Sequence, residues 1–189
     1  MINQMLYIAG APGAGKSTLA RELTAGWDKE LLRTHPVPHS QLKHPSTGRT
    51  LGVELGVPRD DFPGTDALAM DIGPRALSFL SSVLLPFAFG EGSRLATRPF
   101  LGGLVQAGVK VVFVSLRASQ ELLDERWRAR GSKQNPSWRK GAATRAARMS
   151  DWAHITSGVE LLVLDADSTS VQEQAEQVRA VFPLIGLGD

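Results

Sequence analysis

Gly10-Ala11-Pro12-Gly13-Ala14-Gly15-Lys16-Ser17-Thr18 follows directly on the apolar run Met5-Leu6-Tyr7-Ile8-Ala9. Gly-x4-Gly-Lys-Ser between an apolar strand and an amphipathic helix is the pattern of a loop that cradles the phosphates of a nucleoside triphosphate. Glycines at 10, 13 and 15 let the backbone turn its N–H groups inward, toward phosphate oxygens. The helix that follows starts with a partial positive charge, which favours an anion. Within this motif Gly10, Gly13, Ala14, Gly15, Lys16, Ser17 and Thr18 are the expected nucleotide contacts. Lys16 reaches the β and γ phosphates and the Ser17 hydroxyl ligates Mg²⁺, so ATP and Mg²⁺ are the expected cofactors. Leu19, Leu23 and Trp27 continue at helical spacing and give that helix an inward face.

The composition bounds the rest. A chain of 189 residues suits one domain with a sizeable core, taken as 1–189. Hydrophobic residues at 42% and charged residues at 21% are ordinary for a globular protein. No cysteine is present, which excludes disulfides and thiolate metal sites. No run reaches the length of a membrane span and the N-terminus lacks a leader pattern, so a cytoplasmic protein without membrane contact is expected. The net charge is only +2, yet Arg126, Arg128, Arg130, Lys133, Arg139, Lys140, Arg145 and Arg148 follow one another with no acidic residue between. Such a block is either a solvated helix face or a surface for anions, DNA included.

Strands are expected at Leu6–Ala9, Leu31–Thr34, Val83–Phe89, Lys110–Leu116 and Leu161–Leu164, rich in branched and aromatic residues. Helices are expected at Lys16–Gly26, Pro74–Ser82, Leu95–Ala107, Gln120–Arg130, Trp138–His154 and Val171–Phe182. Apolar strands alternating with helices predict an α/β, three-layer fold: a five-stranded, mostly parallel sheet covered on both faces. Ligands then bind beyond the carboxyl ends of its strands. Residues 36–73 concentrate proline and glycine and read as an irregular acceptor-side insertion. The polar break Gly131–Pro136 opens a basic lid region over 131–150.

At this point the chain resembles the small P-loop kinases of the nucleotide-kinase-like group, including the polynucleotide-kinase-like and zeta-toxin-like branches. The likeness rests on Gly10–Thr18, on the helix and strand over Leu95–Leu116, on Leu122–Gly131 with Arg126 and Arg130 spaced as lid arginines, and on Leu161–Asp167 before a capped terminal helix. It implies a phosphoryl transferase. Where many such kinases carry Asp-x-Thr-Asn after the third strand, this chain has Gly90-Glu91-Gly92-Ser93-Arg94. Gly64-Thr65-Asp66 together with Glu-Gly-x-Arg-Leu is also similar to phage and actinobacterial proteins, some associated with DNA base modification.

Phosphoryl transfer needs a cradle, a metal, mobile cations and a group that orients the acceptor. Arg126 and Arg130, four apart on one helix face, are candidates to clamp triphosphate oxygens, or else pair with Glu121 and Glu125. Asp66 and Glu91 are the candidate catalytic carboxylates, Glu91 also as a metal ligand with Ser17. Asp66 has an alternative as the N-cap of a helix through Met70. Arg94 and Arg59 are ambiguous between an acceptor phosphate and a neighbouring acid. His35, His39 and His44 lack ligand spacing, and Trp138 and Trp152 read as core before base stacking.

The leading expectation is an ATP-dependent kinase acting on a hydroxyl or phosphate of a nucleoside, nucleotide or related small molecule. The alternatives are a kinase for a hydroxymethylated base within DNA, and a nucleotide-binding ATPase or switch. A motor generally needs an acidic pair at a strand end, whereas the strand through Val111 ends in Ser115-Leu116-Arg117.

Overall fold

The computed structural model describes residues 1–34, 36–58, 63–131 and 135–188. Its strands are β1 (Gln4–Gly10), β2 (Asp28–Leu32), β3 (His39–Lys43), β4 (Thr50–Leu55), β5 (Phe87–Glu91), β6 (Lys110–Arg117) and β7 (Val159–Asp165). Its helices are α1 (Lys16–Leu23), α2 (Ile72–Ser82), α3 (Arg98–Gln106), α4 (Gln120–Ala129), α5 (Pro136–Ile155) and α6 (Val171–Val181). They build one 7-stranded sheet in the order β2-β3-β4-β5-β1-β6-β7.

The α/β class and the helices on both faces agree with expectation, but the sheet is larger. The segment expected to be irregular over 36–73 contains β3 and β4, and β2 pairs antiparallel with β3, as β3 does with β4. From β4 to β7 every neighbouring pair is parallel. The prolines that suggested irregularity lie at strand borders: Pro36 and Pro38 precede β3, and Pro45 sits in the β3–β4 turn. There a missing N–H breaks no ladder. Gly48 closes the turn at φ 66, and the His44 N–H donates to Arg49 O at 2.9 Å.

The second strand runs from Asp28 rather than Leu31, and β5 begins at Phe87 because Pro86 ends the incoming loop, its carbonyl accepting from the Asn3 and Gln4 N–H groups. The third helix starts at Arg98, capped by Thr97, rather than at Leu95.

Alternation along β1 divides the core. Met5, Tyr7 and Ala9 pack with Ala88 and Phe113 under α2, α3 and α5. Leu6 and Ile8 pack with Phe87, Phe89, Val112 and Val114 under α1, α4 and α6. Burial on both faces explains why β1 and β6 read as continuous apolar runs. The register sets Ile8 beside Glu91, which brings that carboxylate to the mouth of the loop. Among the described residues no helix is long and apolar enough to cross a membrane.

Candidate active site

The loop after β1 takes the shape its glycines allow, with φ 90 at Gly13 and φ 110 at Gly15. Gly15 is the N-cap of α1 and no side chain caps that end. In the first turn the Thr18 N–H donates to Gly15 O at 3.0 Å, whereas the Lys16 and Ser17 N–H groups have no intrahelical partner and are left for a phosphate. Lys16 Nζ donates to Gly10 O and Ala11 O, each at 3.2 Å, so the ammonium spans the mouth of its own loop. Desolvation lowers its pKa, opposed by the charges of Glu91 and Asp66 and reinforced by that of Arg130.

Ser17 Oγ donates to Glu91 Oε1 at 3.0 Å. Glu91 is 4% exposed, and burial pushes its pKa up to about 7, against the lowering effects of Lys16 and the Ser17 hydrogen bond and with help from Asp66 and Glu54. A hydroxyl and a carboxylate this close are an oxygen donor set suited to Mg²⁺, which prefers such ligands together with phosphate oxygens and water. Among the described residues no cluster of three or more His, Asp or Glu forms a separate metal site.

Asp66 lies in the 3-10 turn Thr65–Ala67 rather than capping a helix. Its Oδ1 accepts from Ser93 N at 2.8 Å, Ser93 Oγ at 2.8 Å and Arg94 N at 3.0 Å, which ties it to the residues just beyond β5. Beneath it, Thr65 Oγ1 donates to Glu91 O at 2.8 Å, and Tyr7 Oη lies 2.8 Å from the same Thr65 oxygen. With the Thr65 proton committed to Glu91 O, Tyr7 is the donor to Thr65. All three residues are buried. Gly92, at φ 121, lets the turn close, since a Cβ there would stand 2.8 Å from Thr65 Oγ1. Both candidate carboxylates thus come together at one strand end.

The Arg94 guanidinium pairs with neither Glu91 nor the Asp66 carboxylate, and of Arg94 only the backbone N–H reaches the latter. Its Nη2 reaches Asp66 O at 3.5 Å, its Nη1 meets Met70 Sδ, and its buried Nε has no partner among the described residues.

Arg126 Nη1 donates to Gly13 O at 3.1 Å and Ala14 O at 2.9 Å, so it braces the cradle. Its neighbour Trp127 donates from Nε1 to Pro12 O at 3.0 Å and fills the space where a Gly13 Cβ would be. Arg139 of α5 lies 3.8 Å above the Trp127 ring. Sequence reading missed Trp127, Tyr7, Thr65 and Ser93. The only signal for Trp127 was its place beside Arg126 on the same helix.

Arg126 and Arg130 face a cavity of about 280 Å³, bounded also by Gly15, Thr18, Thr169 and Gln174. A wider cavity of about 440 Å³ lies between α4 and α5, lined by Asp124, Trp127, Arg128, Gly131 and Arg139. It reaches neither Lys16 nor the two carboxylates.

The remaining candidates are dispersed. His39 is buried, with Nδ1 2.7 Å from Val37 O, while the His44 Nδ1 accepts from Ser46 N. Trp138 is exposed, and Trp152 packs on the core. His35, Arg59, Asp60 and Asp61, and residues 132–134 of the expected lid, lie outside the described residues.

A family model described as P-loop Nucleotide Kinase3 matches residues 1–177. The chain belongs to this P-loop nucleotide kinase family. It is accordingly a phosphotransferase. A deoxyadenosine kinase from M. mycoides is similar at TM-score 0.50 and 13% identity, over 96% of this chain and 100% of that one. A sugar kinase from Janibacter sp. HTCC2649 matches at TM-score 0.47 and 15% identity, over 96% and 95% of the two chains. A gluconokinase from Sinorhizobium meliloti 1021 matches at TM-score 0.43 and 16% identity, over 99% and 94%. A search of curated proteins finds no match. The likeness to the deoxyadenosine kinase concerns the fold, and the family assignment rests on the match over residues 1–177.

Proposed function

We propose that this family member transfers the γ-phosphate of ATP to a hydroxyl or phosphate of a nucleoside, nucleotide or related small molecule. The observation that carries the reading is the 3.0 Å contact between Ser17 Oγ and Glu91 Oε1 beside Lys16, at the uncapped start of α1. Backbone N–H groups of Gly13, Gly15, Lys16 and Ser17 hold the phosphates, and Lys16 leaves its loop carbonyls for the β and γ oxygens. Ser17 and Glu91 hold Mg²⁺, whose chemistry when bound is to neutralise charge on those oxygens. Arg130, and Arg126 through the rest of its guanidinium, add cations on the far side.

Asp66 takes the role of general base. Three donors fix its Oδ1, and Oδ2 is the oxygen left to receive the proton of an acceptor hydroxyl. Arg94, with its buried Nε unpaired, supports an acceptor that carries negative charge. The test is a labelled-phosphate transfer screen with ATP and Mg²⁺ across nucleosides, mononucleotides, sugars and hydroxymethylated DNA, with Lys16→Ala as control. Transfer to one class that the variant lacks is expected. Intact ATP binding with transfer to none defeats the reading.

A second reading, a base within DNA as acceptor, draws on α5. Lys140, Arg145 and Arg148 are exposed on that helix beside a 44%-exposed Trp138, and its first acid is Asp151. Phosphate contacts of that kind weaken steeply with salt. Activity on DNA that holds unchanged from 50 to about 200 mM salt would remove the electrostatic basis.

A further inference from the structure

Gln174 of α6 is 5% exposed and borders the cavity of about 280 Å³ that also touches Gly15, Thr18 and Arg130. Its amide has one possible orientation. Nε2 donates to Thr169 O at 3.0 Å and to Thr169 Oγ1 at 3.2 Å. A backbone carbonyl only accepts, so the nitrogen must face Thr169. The Thr169 hydroxyl has already given its proton to Asp165 O, so it too accepts from Gln174. The NH₂ is therefore consumed, and among the described residues nothing donates to Oε1. Oε1 is not sealed in the core, so it is open to accept a hydrogen bond from an occupant of the cavity that Gln174 lines.

We propose that Gln174 Oε1 accepts a hydrogen bond from the exocyclic 6-amino group of adenine and thereby selects ATP over GTP. The proposal rests on Gly10–Thr18 being a nucleotide cradle, but on binding only, not on transfer. The cavity runs from Gly15 and Thr18, at the phosphate end of α1, to Thr169 and Gln174, so a nucleotide seated on the loop extends its base toward the amide. Arg126 and Arg130 border the same space, and guanidinium planes stack well on flat rings. Adenine presents a donor at position 6, whereas guanine presents a carbonyl oxygen. Against a fixed amide oxygen, guanine sets acceptor to acceptor and leaves both unpaired. Sites built around one hydrogen bond reject analogues that cannot make it.

The test is calorimetric titration of the full chain with ATP, GTP and purine riboside triphosphate, which carries hydrogen in place of the 6-amino group. In the wild type, ATP is expected to bind roughly tenfold more tightly than the deaminated analogue, and GTP to bind more weakly than ATP. In Gln174→Leu the ratio of ATP to analogue falls to about one. Equal wild-type affinity for ATP and GTP overturns the proposal, and so does an ATP-to-analogue ratio that survives in the variant. If Gln174→Leu fails to fold, Gln174→Met, closer in length and flexibility, is titrated in its place with the same supporting and overturning outcomes. ATP binding without phosphoryl transfer would defeat the kinase reading and leave this one standing. Loss of base preference in an active kinase would do the reverse.

Discussion

Gly64 sits against Glu91 so closely that a Cβ on it would stand 2.5 Å from Glu91 Oε1. Its φ of 64 is also one that side-chain-bearing residues rarely adopt. The turn carrying Asp66 is thereby pressed onto the carboxylate that faces Ser17. Gly64→Ala is expected to destabilise the protein by about 1–3 kcal/mol and to cut phosphoryl transfer by more than the loss of folded protein explains. Urea unfolding and activity per folded molecule, measured side by side, check both parts.

Burial of Glu91 makes stability depend on pH. Its folded pKa of about 7 lies above the ordinary glutamate value of 4.5, so the native state holds its proton more tightly than the unfolded chain does. That contribution is complete below about 4.5 and is lost as pH rises through 7. Without nucleotide or Mg²⁺, the wild type should lose up to about 3 kcal/mol between pH 4.5 and 8 that Glu91→Gln does not lose. Urea unfolding of both proteins at the two pH values gives the difference directly.

Lys16 is held in a desolvated place that lowers its pKa, so its charge serves binding at a cost to folding. Lys16→Met should reduce phosphoryl transfer on the order of 10²–10³-fold while leaving thermal stability unchanged or higher. A variant that melts clearly below the wild type contradicts this, because Lys16 would then be a structural residue.

The Tyr7–Thr65–Glu91 chain is a buried pin between β1, the Asp66 turn and β5. Tyr7→Phe removes its outer bond and should cost about 1 kcal/mol. Thr65→Val leaves the Tyr7 hydroxyl without an acceptor and frees Glu91 O, and should cost more, about 2–3 kcal/mol. Equal costs in urea unfolding would show that the two bonds are not in series.

Trp127 supports the cradle from outside through Pro12 O. Trp127→Phe keeps much of the ring and loses the donor, so KM for ATP should rise about five- to tenfold with a smaller change in kcat. A change confined to kcat would mean that the indole acts on the chemistry rather than on the shape of the loop.

The sequence alone determined what local chemistry dictates. The Gly10–Thr18 loop was legible because its glycines, lysine and serine are consecutive, and their geometry depends on one strand end and one helix start. The alternation of layers was legible for the same reason, since hydrophobic period reports burial residue by residue. Strands β3 and β4 were not, because prolines at strand borders look like prolines within irregular chain until the pairing is known. Glu91 and Asp66 stood out as carboxylates, yet their meeting is a matter of register: β5 beside β1 places Glu91 next to Ile8, and Ser93 then captures Asp66. Arg126 was legible as a cation near phosphate, but only packing of α4 on the loop turned it toward Gly13 and Ala14. Gln174 carried no sequence signal at all. Its orientation comes from Thr169, and its importance from a cavity that exists only when α1, α4 and α6 converge on the same edge of the cradle.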